Sequence, residues 1–289
     1  MKNSWGNRLM LGRKIGEGGN SDVFEWGNNN RIIKLAKPNT TMFALEREFR
    51  NSLIVWKMGL SVPQPYEVVE VENRPGIVFE RIHGEPLKER LFKGFMQHVH
   101  GGQSNFDWND IRNTARLISE VHQFSHGGIP TQREFLKKQI LSVDYLREDE
   151  KKAVINRLDQ LPIKNQICHG DPNPNNILMS NGRPILIDWN DTTNGNPESD
   201  LAEFVIMIRF AVLPTDTPQE VINGFDSLRE EIINIFVEEY TLHTGTRYKE
   251  IEPWIVPIAA RKLSADAISD EEKRLLVNEI RIRLRDHEK

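Results

Sequence analysis

Residues 168–178 read Cys-His-Gly-Asp-Pro-Asn-Pro-Asn-Asn-Ile-Leu, and residues 185–188 read Ile-Leu-Ile-Asp. The first stretch reaches an acid at Asp171 and, after two prolines, an amide at Asn176; the second ends at another acid, Asp188. Phosphoryl transfer uses a carboxylate that accepts a proton from the attacking hydroxyl, and oxygen ligands that hold Mg²⁺ against the phosphates. Each residue alone is typical of a turn, but their joint spacing after apolar segments indicates a phosphoryl-transfer site.

A glycine-rich turn lies near the N-terminus, between the strand-like segments 9–16 and 22–26. Residues 16–21 read Gly-Glu-Gly-Gly-Asn-Ser, so that backbone N–H groups can approach phosphate oxygens without hindrance from Cβ atoms. No helix follows directly, which argues against a dinucleotide-binding fold, and the Gly-Lys-Ser/Thr ending of a P-loop is absent from the sequence. By itself the turn predicts only a hairpin.

A lysine in the third strand-like segment is the next candidate. Lys34 stands in Arg-Ile-Ile-Lys-Leu (residues 31–35), and Glu48 follows fourteen positions later in a helix-like segment. In a nucleotide site Lys34 would contact the α- and β-phosphates while Glu48 held its ammonium group. Without the other motifs, an exposed lysine and an exposed glutamate are the preferred interpretation of the pattern, and Glu46 competes with Glu48 for the role.

The bulk composition excludes several classes of protein. The 289 residues are 38% hydrophobic and 28% charged, with a net charge of −4, which argues against a nucleic-acid or membrane binder that would carry a basic excess. No apolar run reaches membrane-spanning length, and no signal peptide is visible. A lone cysteine, Cys168, offers neither an intramolecular disulfide nor a set of metal thiolates. We therefore expect a soluble, cytoplasmic protein.

Periodicity predicts an α+β fold with two lobes. Strand-like segments and one helix fill the first eighty residues, and helical patterns dominate after Gly84, which suggests a small β-rich lobe over 1–82 and a larger, mainly helical lobe over 83–289. The helix after Thr41 should run to about Met58 with an apolar face at four positions: Leu45, Phe49, Leu53 and Trp56. Residues 73–76 (Asn-Arg-Pro-Gly) should form the turn between the last two strands of the small lobe.

Taken together, these motifs resemble the aminoglycoside phosphotransferase and choline kinase-like group of enzymes with a protein-kinase-like fold. The matching pieces occur in the same order from residue 10 to about residue 205. They include the glycine-rich turn, Lys34, Glu48, Glu-Arg-Ile-His-Gly (80–84), His-Gly-Asp (169–171), Asn176, Asp188 and Asp-Leu-Ala (200–202). The last eighty residues carry the least diagnostic pattern.

The resemblance implies roles for individual residues. Asp171 would be the catalytic base, Asn176 and Asp188 would bind Mg²⁺, and His169 and Asp200 would brace the catalytic loop. ATP would be gripped by the remaining candidates: Gly16, Gly18, Gly19, Ser21, Lys34, Glu48 and the backbone of Glu80 and Ile82. The implied reaction transfers the γ-phosphate of ATP to a hydroxyl of a small molecule.

Departures from the protein-kinase pattern favour a small acceptor over a protein. The lysine that protein kinases carry two positions after the catalytic acid is here Asn173, and only six residues separate Asp188 from Gly195, too few for a long activation loop. The second hypothesis is a nucleotide-binding pseudokinase or scaffold, and the presence of all five polar site residues argues against it: Lys34, Glu48, Asp171, Asn176 and Asp188. Protein phosphorylation is the third hypothesis. The family includes kinases of antibiotics, choline, homoserine-type metabolites and sugars, so it does not select an acceptor.

Acidic residues of the helical lobe leave two interpretations open for the acceptor. They can line a pocket for a cationic substrate, or they can form a solvated helix surface, which is the commoner case. The residues in question are Glu238, Glu239, Asp266, Glu271 and Glu272. Oligomeric state, regulation and the preference between ATP and GTP cannot be inferred from the sequence.

Overall fold

The computed structural model describes residues 11–27, 30–101, 106–265 and 268–286. It divides into two compact units: the first takes in the N-terminal part up to Gly84 together with Ser180–Asp191, and the second comprises Glu85–Met179 with the C-terminal part from Thr192. The segment 180–191, which the predicted boundary at residue 82 places in the helical lobe, thus groups with the first unit. No helix among the described residues is long and apolar enough to span a membrane.

The first unit is built on a five-stranded antiparallel sheet, as the strand-like patterns predict. Its strands are β1 (Leu11–Glu17), β2 (Ser21–Trp26), β3 (Arg31–Ala36), β4 (Pro65–Val71) and β5 (Arg74–Glu80), in the spatial order β1-β2-β3-β5-β4. Residues 9 and 10 of the strand-like segment 9–16, and residues 28 and 29 of the hairpin turn that the sequence predicts over 27–30, lie outside the described residues. Ile33, Leu35 and Val78 are buried in the sheet's core, packed with Trp26.

The predicted turn over residues 73–76 is wrong by two positions. The chain reverses at Glu72 and Asn73, which both have positive φ (51° and 62°), and β5 already begins at Arg74. A two-residue hairpin turn needs positive φ at both central positions, which asparagine tolerates well. Gly76 lies inside the strand for a different reason: a Cβ there would come within 2.7 Å of Leu35 Cδ2 and 3.0 Å of the Lys34 carbonyl oxygen.

Helix α1 (Met42–Lys57) begins where the sequence predicts, with Thr41 accepting a hydrogen bond from the Ala44 N–H. Its buried face, however, differs from the predicted apolar stripe. Among the four stripe residues only Leu45 is buried, and the buried set consists of Leu45, Glu48, Asn51, Ser52 and Val55. Apolar periodicity missed this face because three of its five residues are polar, and two of these, Glu48 and Asn51, bind partners outside the helix.

The second unit is mainly helical. Its strands are β6 (Glu85–Pro86), β7 (Gln166–Cys168) and β10 (Thr193–Gly195). Strand β8 (Ile177–Ser180) spans the boundary between the units, and β9 (Arg183–Leu186) belongs to the first unit. Its helices are α2 (Leu87–Gly101), α3 (Trp108–Val121), α4 (Gln132–Leu141), α5 (Glu148–Gln160), α6 (Glu198–Phe210), α7 (Gln219–Thr244), α8 (Tyr248–Ile251), α9 (Ile255–Lys262) and α10 (Asp270–Asp286).

Helices α3 and α6 position the functional part of this unit. Asp107 caps α3 as predicted, accepting a hydrogen bond from the Asn109 N–H. Helix α6 is buried over almost its whole length, and its Phe204 stacks on Phe236 of α7 with the ring centroids 3.8 Å apart. Strand β7 pairs antiparallel with β10, so Cys168 lies opposite Thr193. The loop that starts at His169 therefore follows strand β7, which is paired with β10, and lies against the buried helix α6.

Candidate functional site

Asp171 lies in the second unit, on the loop between β7 and β8, and two amide side chains hold its carboxylate. Asn173 Nδ2 donates to Asp171 Oδ2 at 2.7 Å, and Asn176 Nδ2 donates to the same oxygen at 3.0 Å and to the Asp171 carbonyl oxygen at 3.0 Å. Because both donors converge on Oδ2, the carboxylate has a fixed orientation. A fixed carboxylate is what a general base requires.

The two asparagines have different roles, which the sequence did not separate. Asn173 also accepts the Asn175 N–H with Oδ1 at 2.8 Å, which caps the short 3₁₀ turn Pro174–Asn176, so both ends of its amide are engaged. Asn176 uses its nitrogen on Asp171, which directs its amide oxygen elsewhere, and amide oxygens are suitable ligands for Mg²⁺. The geometry thus fits Asn176 as a ligand and adds Asn173, which the sequence predictions omitted, as a support for Asp171.

A buried carboxylate from α6 fixes the backbone of this loop. Asp200 Oδ2 accepts the His169 N–H at 2.6 Å, and Oδ1 accepts the Gly170 N–H at 2.9 Å. His169 Nδ1 in turn accepts the Asp171 N–H at 3.2 Å. Burial alone would raise the pKa of Asp200, but hydrogen bonds from His122 and the loop N–H groups hold it below its ordinary value. The bracing of the loop by His169 and Asp200 that the family resemblance implies is present in the structure.

Two further buried residues extend this network. His122 Nε2 lies 3.2 Å from Asp200 Oδ2, and its Nδ1 lies 2.7 Å from the Tyr240 hydroxyl. Burial raises the pKa of Tyr240, so its hydroxyl keeps its proton. With Nδ1 accepting from Tyr240, His122 is left to donate from Nε2 to Asp200. His122 directly follows the end of α3, Asp200 lies on α6 and Tyr240 lies on α7, and no local pattern in the sequence indicated their association.

Cys168 takes no part in nucleophilic or metal chemistry in this network. His122, Cys168 and Asp200 offer ligand atoms within 4.8 Å of one another, but the hydrogen bonds above already occupy both ring nitrogens of His122 and both oxygens of Asp200. Burial raises the pKa of the Cys168 thiol well above its ordinary value, so it stays protonated. The sequence-based interpretation of Cys168 as a small buried residue agrees with this environment.

A buried lysine places positive charge near Asp171. Lys262 of α9 forms an ion pair with Glu203 of α6, with Nζ 2.7 Å from Oε1. Burial would lower the pKa of Lys262, but the negative charges of Glu203 and Asp171 raise it above its ordinary value, so it is a cation at neutral pH. Protein kinases carry a lysine in the loop where this sequence has Asn173. The structure instead provides Lys262 near Asp171, from a helix almost ninety residues further along the chain.

In the first unit Lys34 binds two carboxylates. Its Nζ lies 2.7 Å from Glu48 Oε1 and 3.0 Å from Asp188 Oδ1. Glu46 is exposed, so the question that the sequence left open is decided in favour of Glu48. The structure therefore brings Lys34, Glu48 and Asp188 together in one unit, and Asp171 and Asn176 together in the other.

The charges around Lys34 fit a divalent cation. Burial alone would lower the pKa of Lys34, but Asp188 and Glu48 raise it, so the ammonium stays charged. Burial raises the pKa of Glu48 while Lys34 opposes that shift. Glu48 and Asp188 thus place carboxyl oxygens beside one ammonium, and oxygens of this kind bind Mg²⁺.

The glycine-rich turn is held from one side by the segment that follows β3. Lys37 Nζ donates to the Gly18 carbonyl oxygen at 2.8 Å, Asn39 Nδ2 to that of Gly19 at 3.4 Å, and Thr40 Oγ1 to that of Asn20 at 2.7 Å. A Cβ on Gly19 would meet no heavy atom within 4 Å, and neither Gly18 nor Gly19 has a positive φ. The chain's own packing therefore does not require glycine at these positions.

The predicted hinge residues lie at the end of β5. The Glu80 N–H donates to the Gln64 carbonyl oxygen at 2.8 Å, and the Arg81 N–H donates to that of Asn30 at 3.0 Å. Any contact of Glu80 with a nucleotide therefore falls to its carbonyl oxygen. Ile82 lies just beyond the strand, which ends at Glu80.

The acidic residues considered for a cationic pocket differ in their burial. Glu239 is buried and paired with Arg116 at 2.6 Å, whereas Glu238 and Glu271 are exposed. Burial raises the pKa of Glu272. Asp266 lies outside the described residues. The exposure of Glu238 and Glu271 favours the interpretation of these two as part of a solvated surface.

A family model described as the phosphotransferase enzyme family matches residues 12–226. The chain belongs to this family. The match contains every candidate site residue in both units of this phosphotransferase, and it confirms the resemblance stated from the motifs. No curated protein matches the chain in sequence.

Solved structures confirm the kinase-like fold of this phosphotransferase. Aminoglycoside phosphotransferase APH(4)-Ia has a TM-score of 0.63 at 13% identity, over 96% of this chain and 93% of that one. A ternary complex of APH(2")-IIa with streptomycin and ATP has a TM-score of 0.58 at 18% identity, over 96% and 91%. Amicoumacin kinase hAmiN, in complex with AMP-PNP and Ca²⁺, has a TM-score of 0.59 at 14% identity, over 96% and 88%. The family and these folds together support a small-molecule phosphotransferase.

Proposed function

We propose that this chain transfers the γ-phosphate of ATP to a hydroxyl group of a small molecule. The observation that carries the proposal is the orientation of Asp171: two amides fix its carboxylate, and a buried aspartate fixes the backbone beneath it. Holding a base this firmly is useful for accepting a proton from an attacking hydroxyl. Structural neighbours that contain ATP or AMP-PNP support ATP as the donor.

In the proposed reaction the acceptor hydroxyl is oriented by Asp171. Its oxygen forms a bond to the γ-phosphorus, the bond from that phosphorus to the β–γ bridging oxygen breaks, ADP leaves, and the hydroxyl proton passes to the Asp171 carboxylate. Lys34, held by Glu48, binds phosphate oxygens of ATP, and the turn residues Gly16, Gly18, Gly19 and Ser21 contribute backbone N–H groups. The carbonyl of Glu80 and the N–H of Ile82 bind adenine.

Magnesium is the proposed metal, with Asn176 and Asp188 as protein ligands. When bound, Mg²⁺ neutralises charge on the phosphate oxygens of the nucleotide. The orientation of the Asn176 amide and the negative charge that surrounds Lys34 support this assignment. Two protein ligands agree with the habit of Mg²⁺ of keeping several waters and substrate oxygens.

A small molecule is the proposed acceptor because the chain between Asp188 and Gly195 is short and ordered. Residues 189–191 form a 3₁₀ turn and residues 193–195 form strand β10, which leaves no segment to bind a peptide or to be phosphorylated. Neighbouring structures hold hygromycin B and streptomycin, so hydroxylated amines are the first acceptors to test.

The test is a phosphotransfer assay with ATP and Mg²⁺ on a panel of aminoglycosides, amino alcohols and sugars. The reaction is measured as ADP release, and ³¹P NMR identifies the phosphorylated product. Asp171→Asn keeps the shape of the side chain but removes the base, so we expect the rate to fall about 10²–10⁴-fold while nucleotide binding persists. Equal rates for wild type and variant would refute the role of Asp171. Nucleotide binding without transfer to any acceptor, or transfer to generic proteins, would favour the pseudokinase or the protein kinase instead.

A further inference from the structure

Asn51 is a fully buried amide on α1, one turn after Glu48. Its Nδ2 donates to the Trp189 carbonyl oxygen at 3.0 Å, whereas its Oδ1 has no hydrogen-bond partner among the described residues. A buried polar atom without a partner lowers the stability of a fold, and an apolar residue of the same size would avoid that loss. Asn51 is therefore a poor choice for packing alone, and its one hydrogen bond needs an explanation.

That hydrogen bond reaches the residue directly after Asp188. Asp188 has a φ of +66°, in the left-handed region that residues with a Cβ rarely adopt. Such a conformation persists only where the surroundings hold it. Trp189 supplies part of that hold, because its buried indole donates from Nε1 to the Leu186 carbonyl oxygen at 3.2 Å.

A second residue of α1 holds the same segment. Arg47 donates to Asn190 Oδ1 at 3.0 Å and lies 3.8 Å from an Asp191 carboxylate oxygen. Arg47 and Asn51 are four positions apart and so lie on neighbouring turns of one helix face. Glu48, between them in sequence, binds the same Lys34 ammonium that contacts Asp188. Helix α1 therefore contacts residues 189–191 directly and reaches Asp188 through Lys34.

We propose that Asn51, assisted by Arg47, is a positioning residue that holds Asp188 in its left-handed conformation and so presets its carboxylate for the metal. The segment 188–191 is then fixed by contacts built into the fold, without the phosphorylated loop that fixes the corresponding segment in many protein kinases. This inference rests on the proposed function in one respect, namely that Asp188 binds the metal of the nucleotide complex.

The experiment compares nucleotide binding with and without metal. Affinity for AMP-PNP is measured by calorimetry in Mg²⁺ and again in EDTA, for wild type and for Asn51→Leu, which retains bulk but cannot donate. We expect about 3- to 10-fold weaker binding in Mg²⁺, on the scale of one lost hydrogen bond, and no change in EDTA. The melting temperature should change little, because two effects offset each other. The substitution removes the unpaired buried Oδ1, which stabilises the fold, and it removes the hydrogen bond to the Trp189 carbonyl oxygen, which destabilises it.

Val55→Ala is the matched control. Val55 lies on the same buried face of α1, and its truncation lowers the melting temperature by leaving a cavity, whereas its apolar side chain donates no hydrogen bond that the truncation could remove. Affinity for AMP-PNP should be the same as in wild type under both conditions. A Mg²⁺-dependent loss in this control as large as in Asn51→Leu would show that any weakening of α1 suffices, and would overturn the proposal.

The remaining outcomes separate this inference from the proposed function. If wild type binds AMP-PNP in a Mg²⁺-dependent way and Asn51→Leu binds equally well, the positioning role fails and the function stands. If wild type shows no Mg²⁺-dependent binding, the proposed function is refuted, and the positioning role of Asn51 is refuted as well. Should Asn51→Leu not fold, Arg47→Met carries the test with an expected loss of about 2- to 5-fold in Mg²⁺; unchanged affinity there also overturns the proposal.

Discussion

The orientation of Asp171 depends on side chains within five residues of it. Asn173 and Asn176 both donate to its Oδ2, and the spacing of two and five positions works because Pro174–Asn176 form a single 3₁₀ turn that brings the second amide back. The sequence identified the acid and one amide through their chemistry. It registered Asn173 only as a missing lysine, because its hydrogen bond to Asp171 depends on a backbone turn that the residue types alone do not specify.

Replacing Asn173 by serine should lower the rate of transfer without weakening the fold. Serine keeps an oxygen that can cap the 3₁₀ turn, but it is too short to reach Asp171 Oδ2. We expect kcat to fall by about 10- to 100-fold, the scale of one hydrogen bond to a charged group, with the KM for ATP unchanged. Steady-state kinetics and a thermal melt check this prediction, and Asn175→Ser, at an exposed neighbouring position, serves as the control.

At the level of secondary-structure elements, hairpins and helix ends were predicted well, and buried faces less well. Strong turn and cap signals placed β1 to β5 and the start of α1 and α3 within a few residues. The buried face of α1 was missed because Glu48 and Asn51 are polar and their partners, Lys34 and Trp189, lie in other parts of the chain. Local periodicity contains no information on such distant pairs.

Two glycines of the first unit should respond differently to substitution by alanine. At Gly76 a Cβ would press on Leu35 and on the Lys34 backbone, so Gly76→Ala should reduce the free energy of unfolding by about 1–3 kcal/mol. At Gly19 a Cβ meets nothing within 4 Å, so Gly19→Ala should leave stability unchanged and raise the KM for ATP about five-fold by hindering the approach of phosphate.

Urea unfolding and ATP kinetics on both variants test this contrast. The two substitutions are chemically identical, so each serves as the control for the other. An unchanged KM in Gly19→Ala would argue against the phosphate-binding role of the turn, whereas a loss of stability there would contradict the open space above Gly19.

At the scale of the whole molecule, the chain does not divide at one point. Residues 180–191 belong to the first unit although both flanking regions belong to the second, so Asp188 shares a unit with Lys34 and Glu48 while Asp171 does not. A single predicted boundary could not express this arrangement. Stability of the larger unit depends on ion pairs between distant helices, among them Glu150 of α5 with Arg281 of α10, with Oε1 2.7 Å from Nε.

That ion pair should contribute to the loss of stability in acid. The hydrogen bond from Arg281 lowers the pKa of Glu150 below its ordinary value of 4.5. Because the folded pKa is depressed, the contribution is complete above 4.5 and is lost as the pH falls through the lower folded value. Between about pH 7 and pH 3, wild type should lose about 1 kcal/mol more of its free energy of unfolding than Glu150→Gln.

Urea unfolding at each pH measures this difference. Glu238→Gln, at an exposed acid, should follow the wild-type curve and serves as the control. Parallel curves for wild type and Glu150→Gln would show that the pair does not distinguish the folded from the unfolded state.

The sequence by itself determined the family and the fold class and predicted the acids of the candidate site, because a base, metal ligands and a glycine-rich turn are indicated by residue types at short spacings. The tertiary structure alone decided that Glu48 rather than Glu46 binds Lys34, that Asp200, His122 and Tyr240 support the loop, and that Asn51 holds the residue after Asp188. These relations join residues 14 to 138 positions apart. They follow from how buried polar groups find partners in the folded chain, which residue types and short spacings do not encode.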